Sequence, residues 1–200
     1  MTLPAETHEL RPVSPASHRY LSFNEMSKSD LETAFLRGVT PSLESLVGWE
    51  FRGMNHPKWA RLAGIKKFVK GFERRDAPSE ASTSGAAGGL PPVYGYNRPV
   101  KQNQLTEAWN VGDKRFGFYL VTPVDPTSRD NAHLHAVLLD YGRGGNGRFD
   151  PTRGLRDYLV QVDSDDPNLF LGLAKYALGP FRIQTNFFVL ERLREVGDRR

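Results

Sequence analysis

The sequence predicts a mainly β chain folded as a closed antiparallel β-barrel of about 8–10 strands, with short helices before it. Three observations point there. Gly48-Trp49-Glu50-Phe51-Arg52-Gly53 alternates aromatic and charged residues after a glycine, as an opening strand does. A series of similar segments follows, separated by short turn-forming sequences. The last segment, from Phe181 to Arg194, is long and apolar on part of both faces, and would be a sticky edge if left unpaired. Pairing it with the first strand removes that edge.

The N-terminal elements come first. Residues 1–27 carry scattered Pro and Ser without a period and read as a poorly ordered tail. Ser27-Lys28-Ser29-Asp30 offers a helix cap, and Leu31, Ala34 and Phe35 then mark one apolar helical face that Gly38 ends. A second short helix is expected from Thr40 as N-cap and Pro41 at the first position, with Leu43, Leu46 and Val47 on one side. It delivers the chain to Trp49. Strands are expected at Gly48–Gly53, Lys67–Glu73, Val93–Tyr96, Gln104–Val111, Lys114–Val124, His133–Tyr141, Leu155–Val162, Asn168–Leu178 and Phe181–Leu193. Residues 55–64 read as a loop with Trp59 and Leu62. The run from Ala77 to Pro92, rich in Gly, Ala, Ser and Pro, reads as a flexible insertion. The expected organisation is a single barrel domain over residues 28–194 with that insertion at 77–92, and a tail at 195–200.

Composition narrows the function classes. The chain has 200 residues, a net charge of +4 and no cysteine, which excludes disulfides and thiolate chemistry. Mean hydropathy is −0.51. No stretch approaches the roughly 18 consecutive apolar residues of a membrane helix, and the first thirty residues lack an apolar secretory core. A cytoplasmic location is the expectation. The basic residues Lys58, Arg61, Lys66, Lys67, Lys70, Arg74 and Arg75 cluster in the chain. They read first as a solvated face, so nucleic acid is not an expected partner; an interaction module using the patch 58–75 is the alternative.

These features resemble the calycin superfamily of lipocalin-like and fatty-acid-binding-type barrels. The resemblance rests on the short helix before Gly48-Trp49 and on the last strand. The family places one residue between that Gly and Trp, and this chain places none. The stretch 137–172, from Val137-Leu138-Leu139-Asp140-Tyr141 to Leu169-Phe170-Leu171-Gly172, is also similar to bacterial GXWXG-type small barrel proteins. The resemblance covers residues 45–194. It implies a barrel that binds a small hydrophobic or amphipathic molecule, lipid or fatty-acid-like, without catalysis. It also implies a basic residue, Arg192 or Arg194, packed over Trp49.

Candidate site residues follow. Trp49 either floors a cavity or plugs the core. Arg156 and Tyr158 interrupt an apolar strand and share a face with Val160, while Asp157 shares the other with Leu155 and Leu159. One face must therefore bury a charge. In fatty-acid-binding-type barrels an interior Arg and Tyr hold a carboxylate, so Arg156 with Tyr158 is the expected anchor, with His135 beside the polar head. An internal pair such as Arg156 with Asp140 is the structural alternative. Phe118 and Phe187 are expected, with Phe68, Phe72, Leu138 and Leu171, to line the apolar part. His133 and His135 project to one side but lack a third ligand, so no metal is expected. Gly142–Arg148 lacks the Lys-Ser/Thr of a phosphate loop, so no cofactor is expected. No nucleophile motif is present. An isomerase- or cyclase-type enzyme in the same cavity, with His135 or Asp157 as acid/base, is the second reading of function.

Overall fold

The computed structural model describes residues 15–56, 64–75 and 90–197. Eight strands form a closed antiparallel barrel in simple sequence order. They are β1 (Trp49–Asn55), β2 (Lys67–Arg74), β3 (Val93–Pro99), β4 (Phe116–Pro123), β5 (Val137–Asp140), β6 (Leu155–Asp163), β7 (Asp166–Leu178) and β8 (Phe181–Glu195). The closure is the expected one. β8 pairs with β1 from Trp49 opposite Glu195 to Asn55 opposite Phe188, with a bulge between Glu50 and Phe51. No helix among the described residues is long and apolar enough to cross a membrane.

Strand parity sorts side chains onto two surfaces. One apolar cluster takes residues from every strand, among them Phe51, Phe72, Tyr119, Leu139, Leu159, Phe170 and Phe188, and fills the lumen. The other gathers Met54, Val69, Leu138, Val160, Leu171, Phe187 and Val189 on the outside of the wall. Helices cover that outer face. α1 (His18–Ser22) and α2 (Lys28–Arg37) bury Tyr20, Leu31 and Phe35 against it. Ser27 caps α2 by accepting from the Asp30 N–H, as the sequence suggests. α1 lies in the segment expected to be a tail; the Ser17 hydroxyl accepts from the Tyr20 N–H and Tyr20 is fully buried. α3 (Leu43–Leu46) starts later than expected, with Ser42 rather than Thr40 at its N-cap.

One expected strand is absent. Gln104–Val111 forms turns with a single bridge, Val100 to Val111. Its apolar spacing reflects packing outside the barrel: Trp109 sits against the Tyr20 ring at 6.3 Å and beneath the Lys67 ammonium at 4.4 Å. The loop around Trp59 and Leu62 and most of the 77–92 insertion lie outside the described residues.

The two ends of the barrel differ. At one end Leu46 of α3 and the edge-to-face rings of Phe51, Phe72 and Phe170 pack together in the lumen. Trp49 closes that end, with the Arg192 guanidinium 4.3 Å from its ring centre. This is the basic cover implied for Trp49. At the other end the rings of Phe68 and Phe188 lie across inward-facing glycines. A Cβ on Gly53 would come within 2.2 Å of the Phe68 ring, and one on Gly172 within 2.0 Å of the Phe188 ring. These glycines leave room for flat aromatic walls. Gly172→Ala is expected to displace Phe188 and lower stability by about 1–3 kcal/mol, read as a shifted urea midpoint with an unchanged slope.

Candidate functional site

The end opposite Trp49 holds a cavity of about 210 Å³. Its walls are mostly apolar: Phe68, Phe116, Leu155, Ala174 and Phe188, with half-exposed Ile65 at the rim. Asn55, Thr152, Thr185 and Asn186 add polar groups. Thr185 reaches the cavity beside Asn186 because β7 and β8 shift register between Ala174 and Lys175.

The polar residues Lys70, Asp157, Tyr141 and Asn97 also line this cavity. Lys70 points inward from β2 because it alternates with Phe68 and Phe72. Asp157 points inward from β6 because it alternates with Leu155 and Leu159. The two strands are not neighbours, so the pair spans the lumen. Lys70 Nζ lies 3.1 Å from Asp157 Oδ2 and 3.1 Å from Asn97 Oδ1, and it donates to the Tyr141 hydroxyl. Tyr141 in turn donates to Asp157 Oδ2 at 3.2 Å. The ammonium is also within 5.6 Å of the ring centres of Phe68, Tyr119, Tyr141 and Phe188.

Burial dominates the electrostatics. Removal from water pushes the Lys70 ammonium below its ordinary pKa, and the Asp157 charge offsets only part of that. Burial likewise raises the Tyr141 and Tyr119 hydroxyls well above the usual value, with Asp157 adding to the effect. Asp157 Oδ1 is buried and has no hydrogen-bond partner among the described residues.

None of the six residues expected at the ligand site lines this cavity. Arg156 lies on the outer face, paired with Asp130 at 3.2 Å and Asp140 at 3.1 Å. That is the internal pairing weighed against a carboxylate anchor. Tyr158 is fully buried in the outer cluster against the His133 ring. Phe187 packs in the same cluster against Phe35, 6.2 Å between ring centres. His135 lies before β5, where Nε2 meets the Phe35 carbonyl at 3.1 Å. Phe118 stands one residue from inward-facing Tyr119 and so points outward, near Arg75. Trp49 is at the packed end. Of the other expected lining residues, Phe68 and Phe72 face the lumen, whereas Leu138 and Leu171 face outward.

The basic cluster also divides. Lys58 and Arg61 lie outside the described residues. Lys67 is buried on the outer face, donating to Asn103 Oδ1 at 2.6 Å and to the Gln104 carbonyl at 3.1 Å. Lys70 is in the lumen and Arg74 pairs with Glu44. Among the described residues the run is not a continuous solvated face. No group of three or more His, Asp or Glu side chains suited to a metal occurs among them either.

No family model matches the chain, and comparison with curated proteins and with solved structures finds no match.

Two outcomes follow from these contacts. Lys70→Met alone strands the Asp157 charge and should cost about 3–5 kcal/mol, whereas Lys70→Met with Asp157→Leu should recover most of that loss in urea titrations. His133 is held to a pKa of about 4, chiefly by burial and then by Lys175 and His135. Its folded pKa lies below the unfolded value of about 6.5, so the unfolded chain takes up the proton first. Stability should be complete above that pH and fall as pH drops towards 4, and His133→Leu should flatten this slope.

Proposed function

We propose that the protein binds a small, largely apolar molecule at the open end of its barrel. The observation that carries this is the 210 Å³ cavity with aromatic walls and one buried polar cluster. Binding sites of this kind combine an apolar lining with a few placed polar groups. A dry apolar cavity of about 150 Å³ takes up benzene, so this one suits a single ring with a small substituent. Among the described residues, the buried rings of Phe51, Phe72 and Phe170 pack edge to face in the lumen beyond it, which favours a compact guest over a long acyl chain. The amphipathic guest expected from sequence is thus narrowed to a compact one. The eight-strand meander, with Trp49 beneath Arg192, supports a calycin-like relationship at the level of fold, and fold alone does not assign a ligand.

A second reading draws on one further observation. Lys70, Asp157 and Tyr141 are three proton-bearing groups in mutual contact, and all three line the cavity. An isomerase- or cyclase-type enzyme would use Asp157 as its acid/base there. Binding is favoured, because Oδ2 of Asp157 is already engaged by the Lys70 ammonium and the Tyr141 hydroxyl.

Toluene and phenol test the first reading. Either one should saturably shift the amide resonances of residues 68, 155, 174 and 188. Ala174→Phe, which puts a ring into the space, should abolish the shifts while circular dichroism stays unchanged. Absence of saturable shifts with both compounds would end the reading.

A further inference from the structure

We propose that the open end of the barrel docks onto an anionic lipid bilayer, with the cavity mouth turned to the membrane. This goes beyond the reading of the cavity as a binding site and does not rest on it.

Topology gathers the surface. In an antiparallel barrel of sequential strands the connections alternate between ends. The links β1–β2, β3–β4, β5–β6 and β7–β8 therefore all lie at the cavity end. Ten large apolar side chains are exposed among the described residues, and six of them are on these links or beside them: Ile65, Phe116, Phe149, Leu178, Phe181 and Ile183. Every exposed phenylalanine is in that group. The β7–β8 hairpin also stands above the wall. β8 starts at Phe181, but its pairing with β1 ends at Phe188; β7 runs to Leu178, but its pairing with β6 ends at Tyr176. Leu178 and Phe181 face each other at its tip. The Tyr176 hydroxyl donates to the Pro151 carbonyl at 3.0 Å, which ties the hairpin to the link that carries Phe149. Phe149 is 92% exposed and Phe181 68%, so neither ring packs on its own chain. Apolar groups concentrated in this way mark a contact surface.

Charge selects the occupant. Lys66, Lys114, Arg143, Arg148 and Arg153 lie on the same links and form no ion pair among the described residues. The acidic groups there are already engaged: Asp113 with Arg98, Glu107 with Asn103, and Asp150 with Thr152. Projecting rings among free cations suit a bilayer surface, where the rings enter the headgroup boundary and the cations meet anionic lipid. A second copy of the chain would set like charges against one another. An acidic protein would need a separate pocket for each projecting ring, whereas a bilayer accepts them in any arrangement.

Vesicle flotation of the full chain tests this. Vesicles of equal parts phosphatidylcholine and phosphatidylserine should bind it at least tenfold more tightly than phosphatidylcholine alone. Phe149→Ser with Phe181→Ser should weaken that binding about tenfold, and so should Arg143→Glu with Arg148→Glu. Leu36→Ser with Leu134→Ser removes exposed apolar residues elsewhere and should change nothing. The chain has no cysteine, so Phe181→Cys and Leu134→Cys each take a single environment-sensitive dye. The dye at 181 should shift to the blue on the mixed vesicles, and the dye at 134 should not. These two labels decide the matter even where a double variant does not fold. Failure to float with the mixed vesicles at low salt would overturn the proposal, as would binding indifferent to the phenylalanine pair. Capture by polyglutamate but not by vesicles, the result an acidic protein partner predicts, would also overturn it. The cavity reading stands or falls separately, on the toluene and phenol titration.

Discussion

Pairing of β1 with β8 is the constraint on which everything else depends. In several strands, β6 among them, both faces carry large apolar residues, so alternation alone does not say which face is inside. Once Trp49–Asn55 is bonded to Phe188–Glu195, one face of all eight strands becomes a lumen and the other a wall to be covered. Phe51 and Phe188 then meet residues from strands far away in sequence. α1 and α2 are left to shield Leu171, Val160 and Phe187. The lumen is also what brings Lys70 and Asp157 together from non-adjacent strands.

That ion pair is a poor device for stability. Two charges in an aromatic interior lose their hydration, and their attraction returns only part of it. Apolar residues of similar volume would serve the fold as well. The other half of the same lumen is built from phenylalanine rings that pack edge to face, with the Arg192 guanidinium 5.9 Å from the Phe51 ring centre at its end. The polar cluster is confined to the half that also contains the cavity.

The architecture was largely legible in the sequence. Alternation located the eight strands, Ser27 and Gly38 bounded α2, and the apolar final strand implied closure. Gln104–Val111 misled because Leu105, Trp109 and Val111 are spaced like a strand while packing as an irregular outer cover. α1 was hidden because five residues hold too little period to stand out among prolines and serines. The site was harder for a physical reason. In β6, Tyr158 and Val160 on one side and Leu155 and Leu159 on the other are all apolar, because helices bury the outer face as well. Period-2 alternation then separates two faces without saying which is inside. Arg156 was expected as the anchor and Asp157 only as an acid/base in the second reading; in the structure Arg156 pairs with Asp130 and Asp140 while Asp157 lines the cavity. One signal was available. Lys70 between Phe68 and Phe72, and Asp157 between Leu155 and Leu159, are opposite charges each flanked by large apolar residues two positions away. Two such islands of opposite sign in one barrel suit one another.

The seal formed by Trp49, Arg192 and Leu46 has a kinetic meaning. A tube open at both ends can be flushed; a cup cannot. For any guest bound as proposed, solvent would have to depart through the doorway by which the guest arrives, past Ile65 and Phe116. Residence time would then be governed by how readily that rim yields, and two guests of equal affinity but unequal girth would leave at different rates.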